Sequence, residues 1–173
     1  YNLSIFSILS ILLILIAMNF IGSISPPSLA DSMVHHLAAP KYYASIEGFP
    51  FVAINPWAMP GLLHVLFTST LLLSDGLSCQ IIVFLFSIML LLAVYGIASK
   101  YFGKNVGLVS ALLIYSLPLT TELSTSAMPE HVSTFLTLMS FWALLNIFEE
   151  DNKNKLQWLF LAGILGGCSG ATK

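Results

Sequence analysis

Nothing among residues 1–30 carries a charge, and residues 3–21 within that stretch form one predominantly apolar run. A helix needs about 20 such residues to cross a hydrocarbon core about 30 Å thick. Lipid leaves no water to satisfy exposed backbone N–H and C=O groups, so a run of this kind is predicted to fold as a membrane-spanning helix. Ser28-Leu29-Ala30 offers the small residues of a signal-peptide cleavage site. The apolar core is too long for the usual signal h-region, however, and more runs follow, so an uncleaved anchor is the better reading.

Those further uncharged runs cover residues 81–98, 106–121, 132–148 and 156–172. Together they predict an all-α polytopic transmembrane bundle of about five spans. Residues 22–80 form a partly helical outer loop between the first two spans. Within it, residues 60–73 are too short for an easy crossing and read as an interfacial or re-entrant helix. Only 8% of the residues are charged and 57% are hydrophobic. Soluble domains carry roughly 25% charge, so a soluble monomer is excluded. With six lysines, no arginine and a net charge of −2, no basic stripe is left to neutralise a nucleic-acid backbone. The chain opens on Tyr1 and ends on Lys173, and residues 1–173 are expected to be the N-terminal part of a single multi-span domain of a longer protein.

The lysines set an orientation. Lys100 and Lys104 share one short loop, and Lys153 and Lys155 another two spans later. Both loops must therefore lie on one side, cytoplasmic by the positive-inside rule. If residues 60–73 do not cross, His35, His36, His64, His131 and the carboxylates Asp31, Glu47, Asp75, Glu122 and Glu130 gather at the outer face; if they do, residues 22–57 are cytoplasmic. Cys79 is expected at the outer interface and Cys168 inside the membrane. Neither cysteine has the spacing of a metal ligand, and no metal site is read from the histidines.

Two carboxylates there each have a structural and a chemical reading. Pro26-Pro27 followed by Ser28 and Asp31 resembles a capping box, so Asp31 could merely support a helix start. On that helix Asp31 shares a face with His35, His36 points elsewhere, and Pro40 is expected to end the helix near Ala39. Pro129-Glu130 equally reads as a helix start with an acidic first turn. Gly163/Gly167 and Gly166/Gly170 are GxxxG pairs that permit close helix packing.

The stretch Asp31-Ser32-Met33-Val34-His35-His36-Leu37-Ala38-Ala39-Pro40-Lys41-Tyr42-Tyr43 resembles the first outer loop of membrane glycosyltransferases that use lipid-phosphate sugars. These are the C-type (GT-C) superfamily, and within it the dolichyl-phosphate-mannose protein mannosyltransferase-like group, glycosyltransferase family 39. Members show Asp, then Tyr-His-Leu, then Pro-Lys; here His35 stands in the Tyr position. Asn55-Pro56-Trp57-Ala58-Met59-Pro60-Gly61-Leu62-Leu63-His64 resembles the proline-rich end of the same loop, and Gly163 to Lys173 resembles a Gly-rich span closing in Thr-Lys. Glu130 stands where a second acidic residue, more often Asp, is usual.

The resemblance implies a hexosyltransferase that moves a sugar from a polyprenyl-phosphate donor to a glycan, lipid or protein acceptor on the non-cytoplasmic side of a prokaryotic plasma membrane. It implies Asp31 and Glu130 as catalytic residues, and His35, His36, Lys41, Glu122 and Lys173 as substrate-binding ones. No cofactor is implied, with a divalent metal left open. A polytopic transporter is the alternative, because ionisable groups near membranes also relay ions; against it, no Asp, Glu or Lys lies inside any of the five runs. A structural membrane scaffold is a third reading.

Overall fold

The computed structural model describes residues 2–53, 57, 61–149 and 154–172. These build the helices α1 (Asn2–Ser23), α2 (Ala38–Ser45), α3 (Leu62–Leu73), α4 (Gly76–Phe102), α5 (Lys104–Tyr115), α6 (Pro118–Ser124), α7 (Glu130–Ile147) and α8 (Lys155–Thr172). A π-helical turn, Ser32–Leu37, precedes α2, and no strand occurs among the described residues. The chain is an all-α integral membrane protein.

Two helices are long and apolar enough to cross a membrane, Ile5–Ser23 within α1 and Gly76–Phe102. Leu13, Ile14, Phe6 and Ile21 of α1 are exposed on several sides of the helix, as expected where lipid is the solvent. The run at 106–121 does not form the single straight span that its composition predicted. It breaks into α5 and α6, bent by 71°. Pro118 is the cause. A residue before proline is pushed out of the α region, and Leu117 sits at φ −66°, ψ 131°. If that bent pair counts as one crossing the total is three. α7 and α8 have 18 residues each, but Glu130, His131 and Asn146 dilute the first and Lys155 and Gln157 the second. By length and composition the described helices therefore supply two or three crossings where about five were expected. α3 has 12 residues, about 18 Å of helix, which is well short of a crossing.

Two packing centres hold the bundle. Leu12, Leu91, Ala111 and Tyr115 join α1, α4 and α5. Toward the other end, Leu37, Leu63, Phe67, Cys79, Val83, Ala127 and Val132 join the π turn, α3, α4 and the start of α7. Cys79 is fully buried there, because the first turn of α4 is covered by α3, so its thiol is closed to a reagent in solution. Gln80 finishes α1: its Nε2 donates to the carbonyls of Ser23 (3.1 Å) and Ser25 (2.9 Å), satisfying C-terminal carbonyls that would otherwise be orphaned.

α7 and α8 pack through hydroxyls. Thr137 Oγ1 and Ser133 Oγ meet Ser169 Oγ at 2.7 and 3.1 Å, and Ser140 Oγ donates to the Ala162 carbonyl. Such contacts substitute for the hydrophobic drive that lipid removes. The GxxxG expectation fails here. Only Gly166 faces the partner helix, with Ser140 Oγ 3.2 Å from where a Cβ would stand; Gly163, Gly167 and Gly170 look into open space. At the far end, Lys100 bridges Asn146 (2.9 Å) and Glu149, which puts the loops after α4 and α7 on one side, as the lysine count anticipated.

Candidate active site

The π turn decides how the first outer loop presents its polar residues. The chain is helical from Ala30, and the Asp31 side chain makes no capping hydrogen bond. The predicted capping box therefore does not form: the Met33 N–H bonds to the Leu29 carbonyl, so helix begins one residue too late for Ser28 to stand at its N-cap. Asp31 is instead exposed, with His35 Nε2 3.8 Å from its Oδ1, as i,i+4 spacing required. Pro40 does not end the helix either. It lies third in α2, in the first turn, where an absent N–H removes no bond internal to that helix.

Ser32 ties this turn to the other carboxylate. Its Oγ is fully buried, accepts from the Ala127 N–H at 3.1 Å and donates to the Ala127 carbonyl at 3.4 Å. Ala127 precedes Glu130 by three residues, so the elements that carry Asp31 and Glu130 are clasped side by side. Glu130 opens α7 after Pro129, as its sequence context indicated, and is half-buried beside the buried His131. Gly22, near the end of α1, backs the same segment; a Cβ there would stand 2.5 Å from Thr125 Cγ2.

His36, on a different face from Asp31 and His35, turns toward the protein. Its Nδ1 lies 3.1 Å from His64 Nε2, with the rings 5.4 Å apart. This pair joins the π turn to α3 and was missed in the sequence, where the partners stand 28 positions apart. Burial, with His36 alongside as a smaller cause, drives the His64 pKa down to about 4, so His64 is neutral at physiological pH. Gly61 makes room for it: a Cβ there would approach His64 Nδ1 to 3.0 Å. Lys41, on α2, and Glu122, near the end of α6, are both exposed, and neither is drawn into the Asp31–His35 or His36–His64 contacts. Lys173, and residues 54–56 and 58–60 of the proline-rich motif, lie outside the described residues. Among the described residues no group of three His, Cys, Asp or Glu side chains is placed to hold a metal ion.

Behind this face, α2 ends in a Schellman motif. Gly48 N–H donates to the Tyr43 carbonyl and Glu47 N–H to that of Ala44. The left-handed position usually given to glycine is filled by Glu47, at φ 51°, at a cost of roughly 1–2 kcal/mol.

The described residues thus form a helical bundle in which the segments bearing Asp31 and Glu130 are joined through Ser32 and Ala127. The family model described as dolichyl-phosphate-mannose-protein mannosyltransferase matches residues 58–173, more than half of the chain. The chain belongs to that family, and is a glycosyltransferase of the GT-C type. The matched stretch includes His64, Glu122 and Glu130 and begins after Asp31, His35, His36 and Lys41. No curated protein matches the chain, and no solved structure does.

Proposed function

We propose that this glycosyltransferase moves a hexose from a polyprenyl-phosphate donor to an acceptor hydroxyl at the non-cytoplasmic face of a prokaryotic plasma membrane. In this reading α1, α4, the bent α5–α6 pair, α7 and α8 are the five spans, in one multi-span domain. α3 lies at the interface. Asp31 takes the proton of the acceptor hydroxyl. The acceptor oxygen then bonds to the anomeric carbon as that carbon's bond to the phosphate oxygen breaks, and the lipid phosphate leaves with the electron pair. Lys41 and Lys173 are assigned to the phosphate, as charge-assisted partners. His35 and His36 orient substrate, and Glu122 and Glu130 complete the acidic rim, with Glu130 the second catalytic candidate. No cofactor is invoked.

The observation that carries this reading is the state of the Asp31 carboxylate. It is exposed, makes no capping bond, and is fixed by Ser32 next door to the segment that ends in Glu130. Asp31→Asn keeps the shape but cannot accept the proton, and turnover should fall on the order of 10²–10⁴-fold. The measurement is transfer from a lipid-phosphate sugar by the whole protein in nanodiscs, with expression followed alongside. Near-normal turnover in well-expressed Asp31→Asn would move the assignment to Glu130.

A further inference from the structure

The outer loop holds a second feature that proton transfer does not use. Two clefts open on either side of the Tyr43–Phe49 corner, whose rings stand 5.4 Å apart and tilted by 55°. One, of about 290 Å³, is walled by Tyr43, Phe49 and Trp57 and reaches His64. The other, of about 440 Å³, runs past the same two rings to Glu47, Thr68 and Ser69. Each is of the order of a small-ligand site, roughly 300–1,000 Å³.

The lining selects a chemistry. Phe49 and Phe51 leave 58% and 81% of their surfaces uncovered, so flat apolar faces with negative π clouds are on offer. The cleft at Trp57 also carries an indole N–H and the His64 ring, whereas the polar side chains peculiar to the other cleft are acceptors. Glu47 has only acceptor oxygens when ionised. The hydroxyl hydrogens of Thr68 and Ser69 are already given to the His64 and Val65 carbonyls, leaving their lone pairs to the cleft. A phosphate would meet a carboxylate in the cleft at Glu47 and a lysine in neither. A lipid tail would leave Glu47 without a partner. The fitting ligand has a flat C–H face and outward hydroxyl donors, and is long enough to straddle the corner. An ammonium ion would suit the aromatic walls but fills only one cleft.

We propose that the Tyr43–Phe49 clefts form a carbohydrate-binding site, each taking one pyranose ring, so that the acceptor of this enzyme is itself a glycan. The assignment of acceptor class rests on the glycosyltransferase reading above; the binding site does not. The test is saturation-transfer NMR on the whole protein in nanodiscs, with mannobiose as the probe and choline and cyclohexylmethanol as competitors. Mannobiose C–H protons should receive saturation, and its apparent affinity should fall about fivefold to tenfold in Phe49→Ala and in Glu47→Gln, the scale of one aromatic contact. Absence of mannobiose saturation, equal affinity in both variants, or displacement by choline or cyclohexylmethanol at lower concentration would overturn the site. In parallel, transfer from a polyprenyl-phosphate sugar to mannobiose is followed. Phe49→Ala should raise the KM for mannobiose by the same factor with kcat nearly kept. Transfer with that KM unmoved would overturn the acceptor class while the enzyme reading stands. Binding without transfer from any lipid-phosphate donor would overturn the enzyme reading and the acceptor class while the site stands.

Discussion

Replacing Ser32 by Ala removes one oxygen and isolates one structural joint. The Oγ is fully buried and serves Ala127 twice, accepting its N–H at 3.1 Å and donating to its carbonyl at 3.4 Å. No water reaches the position to take over, and Ala127 is itself fully buried. A buried donor left unsatisfied costs about 1–3 kcal/mol. The longer bond to the carbonyl is weak, so the loss should fall in that range and not at twice it. Since about 1.4 kcal/mol is tenfold in an equilibrium constant, hydrogen exchange at the Ala127 amide should quicken roughly 10- to 100-fold. Exchange at Met128, whose N–H is held locally by the Ser126 carbonyl at 2.9 Å, should change less. Exchange mass spectrometry on the whole protein in nanodiscs, over a peptide spanning residues 125–129, reads both. Unchanged protection of Ala127 in Ser32→Ala would refute the clasp, and with it the argument that Asp31 and Glu130 are held as a pair.

The remaining predictions concern packing, charge and pH. Gly107→Ala should destabilise the α4–α5 contact by about 1–3 kcal/mol, because a Cβ would meet the Tyr95 carbonyl at 2.8 Å as well as Ser99 Oγ; Gly96→Ala, facing open space, should be neutral, and thermal melts in one detergent compare them. Glu149→Gln should cost less than about 1 kcal/mol despite the bridge to Lys100, because both members of the pair are substantially exposed; a larger loss in the same melts would mean that this end of the bundle is drier than it looks. His64 is held neutral when folded, at about 4 against 6.5 unfolded, so between these values the unfolded chain binds more protons. Its contribution to stability is complete above pH 6.5 and declines as pH falls toward 4. Melts at pH 7.5 and 5 should therefore differ by less in His64→Gln than in the natural protein, and an identical difference would remove His64 as the cause.

What the sequence made legible was local. The apolar run at 3–21 became α1, the run at 81–98 became the middle of α4, and the short run before Ser74 became α3, Leu62–Leu73, a helix too short to cross. The Asp31–His35 contact followed from helical spacing alone. The Pro118 break was written in the sequence too, since the residue before it, Leu117, must avoid the α region, yet apolar composition concealed it. The joints that build the site were not legible. Ser32 and Ala127 are 95 positions apart and His36 and His64 are 28 apart, and no periodicity within one segment reports which face of another it will meet. The same limit explains the glycines of α8, whose spacing promised an interface that the hydroxyls of Ser133, Thr137 and Ser169 supply instead.

The π turn at Ser32–Leu37 acts as a phase shifter between two stretches of ordinary helix. Its wider winding carries i→i+5 bonding, one residue more than an α turn. Six residues wound this way turn through about the same angle, roughly 500°, as five residues of α-helix. Deleting a single residue there, Val34 for instance, would let the turn close as plain α-helix and leave Asp31 at nearly its present bearing to α2. Keeping all six residues but winding them as α-helix would instead carry Asp31 about 100° around the axis, off the Ala127 side, while Tyr43 and the Schellman end of α2 stayed in place. The wide turn therefore takes up one residue that plain helix could not hold without changing the bearing of the Asp31 carboxylate to the Tyr43 corner.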